Sequence, residues 1–313
     1  MAVSYDEVQE LLTTRADLNA RLRLLPYDGN PEIKERNGGK YLYTRKRVAG
    51  KQTSTYIGIY SDELYNLLLR NAREARELRK QIRHIESQLT QIGYSGDNLS
   101  NEVLTNIAFA RTNMKSNIYD QAVLEGVATS FPQTEEIIEN GKVSGVSASD
   151  VQKILNLKHA WEFILDHDVI SSRTDYYMLS HIAGLINEGF FYNGDRIRGV
   201  PVTIGGAFYV PPIPQEHEVK ENIQSIVHST KSAIDIAIEL CLYCMKTQIF
   251  LDGNKRASVI FANHYLIAHA GGFLVIPEKQ VPRFKELLVH YYDGEDILTI
   301  AKFMKENCWK KIE

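Results

Sequence analysis

The clearest pattern in the chain is a seam of positions alternately four and three residues apart: Leu64, Leu68, Asn71, Ala75, Leu78, Ile82, Ile85, Leu89 and Ile92. No proline or glycine interrupts Ser61 to Ile92, and leucine, arginine, glutamate and alanine fill it. The spacing predicts a long helix with a heptad face. Roughly Tyr5 to Leu24 repeats the rhythm at Val8, Leu11, Arg15, Leu18, Leu22 and Leu25, with Arg15 weakening it. Two such helices joined by a short insert fold back most simply as an antiparallel pair. Pairing between two copies of the chain, a homodimer, is the rival arrangement.

The insert, about residues 33–60, changes character. Tyr41, Tyr43, Tyr56, Ile57 and Tyr60 give strand-like composition around a turn at Ala49-Gly50-Lys51, which predicts a β-hairpin at the tip of a helical stalk. Lys34, Arg36, Lys40, Arg45, Lys46, Arg47 and Lys51 outnumber Glu32 and Glu35 by five charges. Basic residues interleaved with tyrosines suit contact with a phosphate backbone plus stacking, so nucleic acid is a candidate partner at Arg45, Lys46 and Arg47. A solvated ribbon kept soluble by its charges accounts for the pattern equally well. Turn-rich Gly93 to Leu99 then marks a boundary between a stalk, residues 1–93, and a core, residues 94–313.

In the core the apolar periodicity predicts helices over 101–124, 156–167, 176–189 and 257–270, with closing helices over 282–311. Residues 218–246 read as one helix, or as two with a break near His228. Val200 to Ile204 and Phe208 to Val210 flank Gly205-Gly206 and end in Pro211-Pro212-Ile213-Pro214, which predicts a second hairpin. The fold class is therefore mainly α, with two small hairpins.

Composition adds limits. At 313 residues and 44% hydrophobic content the chain suits one large domain plus an appendage. A net charge of −3 gives no global pull toward nucleic acid or membrane, so any such binding is local. With no signal peptide, no apolar run long enough to span a bilayer and an odd count of three cysteines, a reducing cytoplasm is expected. Cys241 and Cys244 form a C-x-x-C inside an apolar helical stretch without a second ligand pair, which favours buried thiols over zinc. His159, His167 and His181 show no metal-like i, i+4 pairing.

The candidate chemistry lies at Thr247 to Ala257, TQIFLDGNKRA. An apolar helix ends there, a six-residue turn carries Asp252 and Gly253, and Lys255 and Arg256 open the next helix. Glycine lets backbone approach a ligand, the amides at a helix start have no intrahelical acceptor, and two cations share that end. A carboxylate beside such a phosphate cradle suits a bridging divalent cation. An ordinary Asp-Gly turn before a basic helix start has the same letters.

This stretch resembles the signature loop of the Fic/Doc (Fido) family, approximately H-x-F-x-D/E-G/A-N-G/K-R-x-x-R. Phe250, Asp252, Gly253, Asn254, Lys255 and Arg256 match, whereas Gln248 stands at the motif histidine and Val259 at the second arginine. Upstream, Val202 to Gly206 (V-x-I-G-G) and Tyr209 to Pro212 (Y-x-P-P) resemble the family's hairpin flap, which aligns a target segment by strand addition. Gln121-x-x-x-Glu125-Gly126, within 110–126, resembles its inhibitory helix, with glutamine replacing the usual hydroxyl residue.

The resemblance runs from about Asn101 to the C-terminus. It implies ATP and magnesium as cofactors and a target protein presenting a Ser, Thr or Tyr hydroxyl. In active relatives the histidine takes the hydroxyl proton, the oxygen attacks the α-phosphate, and pyrophosphate leaves. By resemblance Asp252 holds the metal, Gly253 and Asn254 form an anion hole, and Lys255 and Arg256 hold phosphates. Val202, Ile204, Gly205, Gly206 and Tyr209 belong to the flap, and Glu125 is the inhibitory residue, within possible reach of Arg256. Lys255 in place of glycine resembles the Doc branch, whose reaction is phosphorylation of a translation factor. Gln248 cannot act as a general base, although a carboxamide can orient a hydroxyl. Three readings stay open: a slow AMP-transferring enzyme, a degenerate nucleotide-binding sensor, and a nucleic-acid-associated regulator.

Overall fold

The computed structural model describes residues 5–48, 51–96, 98–141 and 143–312. They form two compact units, one running to Ser95 and including Glu139–Gly141, the other comprising Gly96–Ile138 and residues from 142 onward.

In the first unit α1 (Tyr5–Leu24) packs on α2 (Asp62–Gln91). Their seam buries Leu12, Leu18, Leu78, Ile82, Ile85 and Leu89, flanked by Val8, Leu11, Leu22, Leu25 and Ile92. Glu7, Glu10 and Leu11 near the start of α1 share a surface hollow with Ile85, Gln88 and Ile92 near the end of α2, so the pair is antiparallel and closes within one chain. The Ser61 hydroxyl caps α2 by accepting from the Leu64 N–H at 3.2 Å. Asn71, the polar member of the seam, is buried, and its amide donates to the Pro26 carbonyl at 2.6 Å.

The insert is a three-stranded antiparallel sheet rather than a hairpin: β1 (Asn30–Arg36), β2 (Gly39–Val48) and β3 (Lys51–Ile59), in that order. The extra strand comes from Asn37-Gly38, whose φ values of 49° and 75° suit the two-residue turn that favours Asn-Gly. β1 is polar, NPEIKER, so composition alone passes over it. Ala49 and Gly50 of the expected turn lie outside the described residues. On β2, Leu42 and Thr44 are buried, while Tyr41, Tyr43 and Arg45 alternate onto the opposite face.

The second unit opens with α3 (Asn101–Thr112) and α4 (Met114–Leu124), where the pattern predicts one helix. The break is Asn113, whose side-chain amide donates back to the Phe109 carbonyl at 2.9 Å and competes with the helical ladder. α5 (Phe131–Asn140, of which the part to Ile138 belongs to this unit), α6 (Ala148–Ile164), the single turn α7 (His167–Ile170) and α8 (Tyr176–Ile186) follow. α9 (Glu216–Val227) and α10 (Ala233–Thr247) are separate helices, with the break at His228. α11 (Asn254–Ala268) runs through the middle, packed by α10, α8, α6 and α3 and buried on nearly every side. β4 (Phe273–Leu274), α12 (Val281–Tyr292), α13 (Ile297–Asn307) and β5 (Trp309–Lys310) complete the unit, β4 pairing with β5. The Asn263 side chain donates to the Leu274 carbonyl and accepts from its N–H, both at 2.7 Å, fixing α11 to β4.

The expected flap hairpin does not form. Ala207 N–H donates to the Ile204 carbonyl at 3.2 Å, closing a turn around Gly205-Gly206, but residues 196–215 contain no strand. The groups a ladder would need are used elsewhere. Pro201, Pro211 and Pro212 carry no N–H. The Arg198 guanidinium takes the carbonyls of Val200, Pro211 and Pro212 at 2.7, 3.2 and 2.6 Å. The Phe208 and Tyr209 N–H groups both donate to the Asp293 carboxylate, at 2.8 and 2.9 Å.

Cys241 and Cys244 are buried in α10, and burial pushes both thiols up from their ordinary range. Among the described residues no group of three or more His, Cys, Asp or Glu is placed to hold a metal ion by itself. No described helix is long and apolar enough to cross a membrane.

Candidate active site

Six residues, Gln248 to Gly253, join α10 to α11. Gln248 turns the chain in the left-handed region, φ 49° and ψ 61°. Ile249 and Phe250 then anchor the loop in the core. Asn254 knits it together: its carboxamide accepts from the Phe250 N–H at 2.9 Å and donates to the Phe250 carbonyl at 2.7 Å and to Gln248 Oε1 at 3.2 Å. Asn187, at the end of α8, props the other side by donating to the carbonyls of Asp252 and Gly194, both at 3.0 Å. At Gly253, φ is 75°, and an added Cβ would stand 2.8 Å from Asn187 Oδ1 and from Ile186 Cγ2. Only glycine fits.

Arg256 is 2% exposed. Its Nη2 lies 3.2 Å from Asp252 Oδ2 and 3.5 Å from Glu125 Oε1, so the structure brings together the three residues expected to hold metal, to bind phosphate and to inhibit. Arg256 Nε and Nη1 are buried without a hydrogen-bond partner, as is Glu125 Oε2. The first intrahelical donor of α11 is Ala257, bonded to the Gly253 carbonyl at 2.9 Å, which leaves the amides of Asn254, Lys255 and Arg256 without an intrahelical acceptor. An anion there would meet a helix N-terminus, a fixed guanidinium with unused donors and a half-exposed carboxylate.

Other expected residues are placed differently. The Asn254 carboxamide is engaged within the loop, so its contribution to an anion hole is confined to its backbone N–H. Lys255 is half-buried and makes no ion pair among the described residues. Gln121 ties helices together: its amide donates to the Arg256 carbonyl at 3.4 Å and accepts from the Trp161 indole at 2.8 Å. Val202 and Ile204 are half-buried, Gly205 and Gly206 exposed, and no hydrogen bond joins them to Asp252 or Arg256. Tyr209 stacks its ring 5.4 Å from the Lys246 ammonium.

Gln248 is occupied at both ends, since its Nε2 donates to the Met245 carbonyl at 2.7 Å while its Oε1 accepts from Asn254. The neighbouring Tyr292 hydroxyl offers no substitute base, because burial holds its pKa well above the ordinary tyrosine range.

Sequence reading did not single out Arg198 or Asn187. Arg198 is 3% exposed, its Nε donates to the Gln248 carbonyl at 2.6 Å and its N–H to the Ile249 carbonyl at 3.0 Å. One side chain thus fastens the flap to the signature loop, a role invisible from spacing because its partners are all carbonyls. Replacing Arg198 with alanine should cost at least about 2 kcal/mol, given several charge-assisted bonds lost. Thermal unfolding and limited proteolysis check this: the expected new cleavage falls within residues 199–213, and an unchanged digest would show that the flap holds without it.

Residues 5–66 match a family model described as a domain of unknown function, DUF6788. No curated protein sequence matches the chain. Solved structures do. Fic-1 from C. elegans is similar over 78% of this chain and 81% of its own, with a TM-score of 0.54 at 16% identity. A Fic domain containing signaling protein from Bacteroides thetaiotaomicron VPI-5482 covers 67% of this chain and 87% of its own, TM-score 0.53, 15% identity. The fold is Fic-like. A Fic family protein from Desulfovibrio desulfuricans G20 agrees, with 67% and 73% coverage, TM-score 0.50 and 14% identity. At such identities the likeness concerns the Fic-like chain path, and the chemistry rests on the side chains above.

Proposed function

We propose that the Fic-like unit binds ATP with magnesium and transfers AMP to a Ser, Thr or Tyr hydroxyl of a target protein, at a rate held low by Gln248. The observation that carries this reading is Arg256: a buried guanidinium at a helix N-terminus, held by Asp252 and Glu125 with two nitrogen donors unused. Polyphosphate is the ligand class such a site suits.

The residues present fit magnesium as well. It commonly takes one or two protein carboxylates and fills its shell with phosphate oxygens and water, and Asp252 is a half-exposed oxygen donor beside the phosphate arginine. Bound there, magnesium would neutralise phosphate charge. Arg256 and the amides of α11 orient the polyphosphate, and the close packing of Gly253 on Asn187 and Ile186 fixes the turn that presents those amides. Gln248 supplies no proton acceptor.

One observation favours a second reading, nucleotide binding without transfer: both ends of the Gln248 amide are satisfied inside the loop. Titration calorimetry with ATP and magnesium, followed by incubation of α-labelled ATP with cell lysate beside an Asp252→Ala control, separates the two. Label transfer lost in the control is the expected result. ATP binding without label selects the second reading, and absence of ATP binding overturns both.

A further inference from the structure

We infer that the first unit is a nucleic-acid-binding module that grips the phosphate backbone in a groove between β2 and α2. The groove encloses about 320 Å³ and is lined by six cations, Arg45, Lys46 and Arg47 from the strand and Arg76, Arg79 and Arg83 from the helix. The three on α2 are spaced i, i+3, i+7, which places them along one stripe. All six side chains are exposed. Asp28 is the one acid in the lining, 2.7 Å from Arg79 Nη2 and 3.7 Å from Lys46 Nζ, so six positive charges face one negative. Among the described residues Arg45, Arg76 and Arg83 have no acidic partner.

The fold creates this concentration. α2 also carries Glu74, Glu77 and Glu86, which make its charge look balanced along the sequence, but none of them lines the groove. Helical geometry turns Arg76, Arg79 and Arg83 toward the groove and leaves these glutamates outside it, while Arg70 and Arg73 line a separate hollow with Glu63.

The spread of charge selects the ligand class. From Arg76 to Arg83 the stripe runs about 10 Å at 1.5 Å per residue, and β2 adds a second row, so the groove exceeds what a single phosphate group occupies and suits successive phosphates. Five of the six cations are arginine, whose fork matches phosphate oxygens. The sheet face carrying Arg45 also carries Tyr43 and Tyr56, which are cross-strand partners in edge contact at 5.4 Å, and Tyr56 is 52% exposed. A base stacked there would sit beside the basic strand. The apolar lining amounts to Ala72 and Ala75, too little for insertion into a lipid surface. This module is independent of the chemistry proposed for the Fic-like unit.

The test is fluorescence anisotropy on the full chain with mixed-sequence duplex DNA, single-stranded DNA and RNA of equal length, across a salt series, with anionic phospholipid vesicles as a fourth arm. Binding to at least one nucleic acid is expected, weakening linearly in log Kd against log salt. An Arg76→Gln, Arg83→Gln chain should bind at least about tenfold more weakly with a salt slope smaller by roughly two, since each lost phosphate contact removes about one. A control, Lys285→Gln with Lys302→Gln, removes equal charge from the other unit and should change neither. Circular dichroism confirms that both variants fold. No binding in the nucleic-acid arms, binding only to vesicles, or equal loss in the control overturns the assignment.

Discussion

A Gln248→His variant should transfer AMP about 10² to 10⁴ times faster than the native chain, the range general-base help ordinarily contributes. The backbone favours the exchange. Gln248 occupies the left-handed region, which histidine tolerates better than most side chains, so the loop should keep its path. Asn254 would lose its bond to Gln248 Oε1 but retain both bonds to Phe250. Arg198 grips the backbone carbonyl of residue 248 and is indifferent to its side chain. ATP affinity should therefore stay level while the single-turnover rate of label transfer rises. Gln248→Ala is the control: it empties the position without adding a base and should bring no gain. A histidine variant that binds ATP equally and transfers no faster would show that the loop is not arranged to activate a hydroxyl, leaving nucleotide binding as the function.

The seam of α2 and the two helices around the signature loop were legible because burial imposes a period on the sequence, and Leu68, Leu78 and Leu89 carry it past the polar Asn71. β1 was not legible, since its residues are polar and only the Asn37-Gly38 turn announces it. The flap was misread for the opposite reason. Its strand-like residues and central Gly-Gly are real signals, but a ladder also needs unengaged N–H and C=O groups, and Arg198, Asp293 and three prolines take them out of use. At the candidate site, motif letters pointed to Asp252, Gly253 and Arg256, which the fold brings to one loop and helix start. The sequence marks Gln248 and Asn254 by motif position and passes over Asn187, and only three dimensions show that all three carboxamides shape the loop. Charge was the least legible property. Arg76, Arg79 and Arg83 alternate with glutamates along the chain and separate from them only when the helix forms.

Substitutions at Glu125 and Arg256 should move nucleotide affinity in opposite directions while both lower stability. Their closest approach, 3.5 Å, is longer than a good charge-assisted hydrogen bond, so a phosphate oxygen can compete for the guanidinium. Glu125→Ala removes that competitor. A charge-assisted bond is worth about 1.5 to 3 kcal/mol, so affinity for ATP with magnesium should rise by roughly 10- to 100-fold. Arg256→Ala should lower it by a similar factor. Stability behaves otherwise, because the two side chains are 14% and 2% exposed and removing either partner leaves the other buried without full compensation, at a cost of about 3 kcal/mol. Arg256 retains Asp252 at 3.2 Å, so Glu125→Ala is the milder change. The double variant should recover part of the loss, since neither charge is then stranded. Denaturant unfolding paired with calorimetric ATP titration of the three variants measures both effects. If Glu125 and Arg256 served only to hold α4 against α11, the single variants would lose stability and affinity together, and a rise in affinity for Glu125→Ala is the outcome that a purely structural pair cannot produce.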